Sequence, residues 1–270
     1  MLFLAEKRPN LRIPTVLAVW SFVLEPGLVA YCFMMNFIEG GNMTFEKFAE
    51  LPIHAQDTIC TKISSQLRYL RELPSEPEGY YGRVHGQGWL CAPHGLDSST
   101  SASPYRGIVG PYKTYEEYCA AMYRAQQTLR AGHSSGEEWG PEEPEIVPQL
   151  ESVFQGWGDN EPKFTWIDPK IQNIIARKII KEDDGSEDWE VFLIDWEYCG
   201  WYPAWTQVLQ VMTICGVVLR DPDNPVGLIS YRGSEITPMI LKDFDPKPEE
   251  ERKKDEERLK LLSDLCWHFF

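Results

Sequence analysis

The chain has 270 residues, 43% of them hydrophobic and 13% aromatic, enough apolar side chain for one sizeable domain or two small ones. Its formal net charge is −15, with a pI of about 4.8, which makes nucleic acid and anionic membrane surfaces poor partners. A neutral or cationic small molecule is the easier ligand to accommodate.

At the N-terminus, Met1 to Ala5 is too short an apolar run for a secretory signal, and Glu6, Lys7, Arg8 and Pro9 follow at once. Val16 to Ile38 is the most apolar region. It is broken by Glu25-Pro26-Gly27, and so reads as a hairpin of two strands rather than a membrane span. A two-stranded sheet is marginal alone, and its exposed edge is a place for association, so oligomerisation through that edge is expected. After Gly40-Gly41, Thr44 to Leu51 and Ala55 to Leu73 read as helices; in the second, Ile59, Ile63, Leu67 and Leu70 recur at helical spacing.

Pro74 to Arg106 is a long Gly-, Pro- and Ser-rich loop carrying Tyr80-Tyr81-Gly82 and Trp89. Thr114 to Ala131 reads as a helix, His133 to Glu145 as an acidic linker, and Ile146 to Trp157 as another helix. Ala204 to Leu219 and Pro248 to Phe270 are the last predicted helices, with Pro248 suited to the first helical position. The seven cysteines are scattered, odd in number and without a C-x-x-C pair, as expected of free thiols in a reducing, cytoplasmic compartment. The five histidines show no metal-ligand spacing.

The segment Phe164-Thr165-Trp166-Ile167-Asp168-Pro169-Lys170-Ile171-Gln172-Asn173, followed by Leu193-Ile194-Asp195-Trp196, carries the chemistry. Asp168 and Asn173 are spaced as in a phosphoryl-transfer loop, and Asp195 opens the segment where such enzymes hold magnesium. Between them, Ile174 to Ile180 and Trp189 to Ile194 are β-branched, apolar runs around Asp183-Asp184-Gly185-Ser186, the pattern of a β-hairpin. With Asp184-Gly185 as a two-residue turn, Ile174 lies opposite Asp195 and Asn173 opposite Trp196. That brings an amide and a carboxylate close enough to share a hard cation.

These residues resemble the aminoglycoside phosphotransferase and choline kinase-like small-molecule kinases. The family pattern F-T-H-G-D-L-x-P-x-N-I-L, then I-D-W-E and G-x-Y-P, is matched by Phe164, Thr165, Asp168, Asn173 and Ile174, by Ile194-Asp195-Trp196-Glu197, and by Gly200-Trp201-Tyr202-Pro203. The resemblance extends to Met1 to Glu6 with Ile13 to Val16, similar to the end of the helix before the family's fourth strand, and to Phe33 to Gly40 as the hinge between lobes. It implies an α+β, protein kinase-like fold with a truncated small β lobe and hinge in residues 1–40 and a mostly helical large lobe in 41–270. It further implies Asp168 as catalytic base, Asn173 and Asp195 as Mg2+ ligands, and ATP set against the backbone at Met35, Asn36 and Phe37. Trp166, Trp196 and Trp201 are the candidate walls of a substrate pocket for a cationic or aromatic small molecule, by cation–π contact, with core packing as the alternative.

Trp166-Ile167 replaces the family's His-Gly, and Pro169, which fixes φ and removes an N–H, replaces its leucine. No G-x-G-x-x-G or Walker pattern is present. The chain begins beyond the strand that carries the phosphate-binding lysine in the family. The expectation is therefore a small-molecule O-phosphotransferase relative with degraded ATP use. Two alternatives stand beside it: a kinase-fold enzyme turned to ATP-independent cyclisation or isomerisation, and a non-catalytic pseudokinase that binds a partner.

Overall fold

The computed structural model describes residues 1–25, 27–89, 91–92, 96–97, 110–133, 152–214, 217–219, 230–232 and 236–265. Helix α1 (Leu2–Lys7) buries Leu4 and leads through an extended segment into the hairpin of β1 (Val16–Glu25) and β2 (Leu28–Met35). The two strands pair antiparallel, Trp20 opposite Cys32 and Phe22 opposite Ala30, as alternating β-branched and aromatic residues favour. Their base is closed by Asn36, whose N–H donates to the Thr15 carbonyl at 3.0 Å while its Oδ1 accepts from the Thr15 N–H at 2.6 Å.

The chain then enters the body through β3 (Gly41–Asn42), which lies on one side of β7 (Ile174–Ile180), with β8 (Glu187–Leu193) on the other. Gly40, at φ +129, makes this approach close, since a Cβ there would meet the Ile175 side chain at 3.0 Å. Helix α2 (Phe45–Ala49) is capped by Thr44, whose hydroxyl accepts from the Lys47 N–H. Helix α3 (Ile53–Arg71) buries Ile59, Ile63, Leu67 and Leu70, the stripe its spacing predicts, against β6 (Pro162–Thr165), β8 and α6 (Ile236–Phe244). Two polar side chains of α3 fix its position. Ser64 Oγ donates to carbonyls at both Cys60 and Ile240, and Gln66 bridges the Val191 carbonyl to the Arg12 N–H.

Beyond α3 the chain forms an irregular loop that includes a 3-10 turn (Val84–Gly86) and short strands β4 (Cys91–Ala92) and β5 (Leu96–Asp97). Gly82 exchanges backbone hydrogen bonds with Trp201 in β9 (Gly200–Pro203), which pairs with β6. Here Tyr81, Trp89, Tyr112, Tyr202, Trp205 and Tyr118 of α4 (Tyr115–His133) make a second, aromatic core beside the main aliphatic one. Residues 152–155 are helical. The linker predicted over His133 to Glu145 and the start of the helix predicted at Ile146 lie, past His133, outside the described residues.

Three expectations are corrected. The turn of the β7–β8 hairpin spans residues 182–185, with Gly185 at φ +68 and the Asp184 carboxylate accepting from the Ser186 N–H, so Ile174 pairs with Leu193 and not with Asp195. The side-chain capacity of Asp184 to cap a longer turn outcompetes the two-residue Asp-Gly loop. A shift of two residues keeps every side chain on its face, so the hairpin's buried and exposed sides are as expected. Helix α5 runs only from Trp205 to Ile214, and Val217–Leu219, with the β-branched pair Val217 and Val218, forms strand β10 with β11 (Ser230–Arg232). Finally, α7 starts at Glu249, so Pro248 is its cap and its carbonyl accepts from the Glu251 and Arg252 N–H groups. No described helix is long and apolar enough to cross a membrane.

Candidate active site

Strand β6 delivers the chain into the loop 166–173, and helix α5 holds that loop from below. Gln207 and Gln210 sit on successive turns of α5, both buried among apolar neighbours, and each spends its amide on the loop backbone. Gln207 Oε1 accepts from the Trp166 N–H at 2.9 Å and its Nε2 donates to the Trp166 carbonyl at 3.0 Å. Gln210 Oε1 accepts from the Asp168 N–H at 3.0 Å. A buried amide on an apolar helix must find partners, and a loop with unpaired N–H groups supplies them.

Within the loop, the Asp168 carbonyl accepts from the Lys170 N–H at 2.7 Å, and a 3-10 turn (Ile171–Asn173) leads into β7. The Asp168 carboxylate is a quarter exposed, and the Lys170 ammonium donates to it at 2.8 Å. Asn173 is the junction. Its Nδ2 donates to the Asp168 carbonyl at 3.0 Å and reaches the Asp195 carboxylate at 3.4 Å, while its own carbonyl accepts from the Ile194 N–H at 3.0 Å. The expected neighbourhood of Asn173 and Asp195 therefore exists, although a different hairpin register produces it. Asn42 ties β3 to the same place by donating Nδ2 to the Gln172 carbonyl at 2.8 Å.

Backbone conformation singles out the same residues. Among the described non-glycine residues, positive φ occurs at Asp168, Asp195 and His85, each at +63°. Left-handed backbone at a residue with a Cβ is uncommon and costs on the order of 1 kcal/mol, and such positions concentrate at functional sites.

The three tryptophans proposed as pocket walls take the packing alternative. Trp166 is 0%, Trp196 7% and Trp201 0% exposed. Trp166 stacks on Trp196 with ring centres 5.8 Å apart, and its indole N–H donates to the carbonyls of both Ile194 and Asp195 at 3.1 Å. Trp196 donates to the Leu193 carbonyl, and Trp201 packs edge-on against Phe164. An indole with its N–H committed and its faces covered by other rings offers no cation–π surface to a ligand. At the residues expected to form a hinge, Asn36 is engaged with Thr15, Met35 ends β2, and the Phe37 side chain is 85% exposed.

Asn173 turns its Nδ2 to the Asp168 carbonyl and the Asp195 carboxylate, so its Oδ1 and that carboxylate are the hard oxygens that Asn173 and Asp195 could offer a cation. No group of three His, Cys, Asp or Glu side chains able to hold a metal occurs among the described residues. Two protein oxygens fit Mg2+ of the nucleotide-bound kind, which takes its other ligands from phosphate and water, and do not make an all-protein cage.

No family model matches the sequence, and no curated protein matches it at a significant level. Solved structures do match. The kanamycin and GDP complex of APH(2")-IIia is similar with a TM-score of 0.55 at 10% identity, over 98% of this chain and 70% of that one. The streptomycin and ATP complex of APH(2")-IIa gives 0.52 at 14%, over 99% and 70%, and its gentamicin complex 0.51 at 14%, over 99% and 69%. The fold is that of the aminoglycoside phosphotransferases. This kinase-like architecture accounts for the order of elements: hairpin, connecting segment, helix α3, then the loop 166–173 and the β7–β8 hairpin that bring Asp168, Asn173 and Asp195 together. Lys170, Gln207 and Gln210 were not singled out from the sequence; the two glutamines in Thr206-Gln207-Val208-Leu209-Gln210, one helical turn apart in an apolar helix, were the available signal.

Proposed function

We propose that the chain acts on a small molecule as an O-phosphotransferase, with residues 1–40 supplying the small-lobe side of the site and residues 41–270 the catalytic side. The observation that carries this reading is the Asn173 side chain, which joins the loop of Asp168 to the carboxylate of Asp195. In this reading Asp168 orients a substrate hydroxyl and accepts its proton, and the left-handed backbone at Asp168, held by Gln210, sets the direction of that carboxylate. Asn173 Oδ1 and the Asp195 carboxylate would hold Mg2+ on a nucleotide's phosphates. That ion, when bound, neutralises charge on the transferred phosphoryl group. Met35, Asn36 and Phe37 would lie along the base of the nucleotide, with Asn42 anchoring the connection to the loop. Neighbours in complex with amino sugars and with ATP or GDP support a hydroxylated, amine-bearing substrate and a purine nucleotide, and the net charge of −15 favours a cationic one.

Lys170 supports a second reading. Its ammonium occupies the carboxylate that would have to receive the substrate proton, as would suit a site that binds nucleotide without turnover. A thermal-shift titration with ATP or ADP, with and without Mg2+, on the wild type and on Asp195→Ala tests both. A Mg2+-dependent rise in Tm that Asp195→Ala loses is expected. Transfer of labelled γ-phosphate to an amino-sugar substrate would then select the first reading, and stabilisation without transfer the second. No shift at millimolar nucleotide would sink both.

A further inference from the structure

Among the described residues, one ammonium touches a carboxylate of the candidate site: Lys170 Nζ lies 2.8 Å from Asp168 Oδ2. Its backbone is fixed. The Lys170 N–H donates to the Asp168 carbonyl at 2.7 Å across Pro169, a three-residue turn that proline's locked φ suits, and the Lys170 carbonyl accepts from the Asn173 N–H at 2.8 Å. Pro169 and Ile171 are buried on either side, whereas the lysine side chain is more than half exposed. The main chain is thus anchored while the ammonium sits on a flexible four-carbon stem in water.

An ion pair this exposed favours the bound ammonium by less than about tenfold, too little to keep a stronger anion from drawing it away. We propose that Lys170 is a catalytic residue whose ammonium passes from Asp168 to the γ-phosphate of the nucleotide. This role rests on the phosphotransferase reading above, and reach supports it. Where Asp168 accepts the proton of a substrate hydroxyl, the phosphorus under attack stands about 3–3.5 Å from that oxygen, so a cation already in contact with Asp168 meets the same phosphoryl group by turning its stem. Charge points the same way. Asp168 and Asp195 are both carboxylates, and a phosphate brought beside them carries more charge than either and binds lysine as a point charge. In the transfer, the substrate oxygen bonds to the γ-phosphorus as the bond from phosphorus to the oxygen of the departing nucleoside diphosphate breaks. Asp168 takes the hydroxyl proton, while Lys170 keeps its own and donates hydrogen bonds to the phosphoryl oxygens throughout. Its departure also clears the Asp168 carboxylate for the hydroxyl.

Calorimetric titration of the full chain with Mg2+ and either ADP or the β,γ-imido analogue of ATP tests this, in the wild type, Lys170→Met, Lys170→Arg and Asp168→Asn/Lys170→Met. Substitution of an exposed lysine should leave the circular dichroism spectrum unchanged. The wild type is expected to bind the triphosphate analogue at least about tenfold more tightly than ADP. Lys170→Met should lose that preference while holding ADP within about twofold, and Lys170→Arg should keep most of it. The double variant, in which the repelling carboxylate is gone as well, should not regain it. Equal binding of the two nucleotides by the wild type, a preference that survives in Lys170→Met, a loss shared equally by ADP, or recovery in the double variant would each overturn the role of Lys170 and leave the phosphotransferase reading standing. A wild type that binds neither nucleotide would overturn both.

Discussion

The indole N–H of Trp166 donates to the main-chain carbonyl of Asp195 at 3.1 Å, a direct tie between the two loops that carry the candidate acid-base and metal-binding carboxylates. A side chain in the position where the family has histidine thus works as a spacer and a strut. Trp166→Phe keeps most of the volume and removes the donor. It should cost about 1–3 kcal/mol in denaturant unfolding, and weaken any nucleotide-induced shift by loosening Asp195. An unchanged midpoint would mean the indole N–H is dispensable.

Gln207→Leu should be among the more damaging changes outside the carboxylates. It strips the buried Trp166 N–H and carbonyl of their partners, and each orphan costs about 1–3 kcal/mol. By contrast, Lys170→Ala removes an ion pair whose lysine is more than half exposed, and its effect on stability should stay under about 1 kcal/mol. Urea melts of the two variants side by side check the contrast.

Asp188 on β8 accepts from Lys62 on α3 at 2.9 Å, and that hydrogen bond holds its carboxyl below the usual range. A lowered folded-state pKa means stability that is fully present above the unfolded value of about 3.9 and is lost as pH falls through the folded value. The gap between wild type and Asp188→Asn should be flat and small near neutrality, about 1 kcal/mol or less, and should close as pH drops below 4. Chemical denaturation at a series of acid pH values reads it.

Burial pushes the thiols of Cys119 and Cys199 up to about 11 and that of Cys60 to about 12. Only the thiolate alkylates, so these three should stay unlabelled by iodoacetamide near pH 8 in the folded chain and label readily in urea. Peptide mapping by mass spectrometry distinguishes them. Rapid labelling of Cys199 at pH 8 would show that its packing beside Trp196 opens.

Gly200 marks where the loop at residues 80–89 is pinned to β9. A Cβ there would stand 2.6 Å from the Gly82 carbonyl oxygen and 3.2 Å from the Trp89 indole nitrogen. Gly200→Ala should therefore cost about 1–3 kcal/mol as backbone and indole are forced apart, lowering Tm by several degrees in a scan.

The sequence made the helices α3 and α4 legible, because long apolar stripes at 3.6 spacing leave no other reading, and the β1–β2 hairpin, because two apolar runs flank Glu25-Pro26-Gly27. It also brought Asn173 to Asp195. The exact register did not follow, since the choice between a two-residue and a longer turn rests on where Asp184 finds its hydrogen bond. Nor did the use of the tryptophans, because composition cannot tell an indole that walls a cleft from one that fills a core. The glutamines of α5 were readable in principle and speak only once the loop they support is in place.

Left-handed backbone at Asp168 and Asp195 has a consequence for stability. Glycine would relax both positions, by on the order of 1 kcal/mol each, since it carries no Cβ penalty there. A chain that keeps two carboxylates in conformations glycine prefers forgoes that stability at both. A thermal scan of Asp195→Gly against the wild type reads the balance between that backbone relief and the lost contact with Asn173.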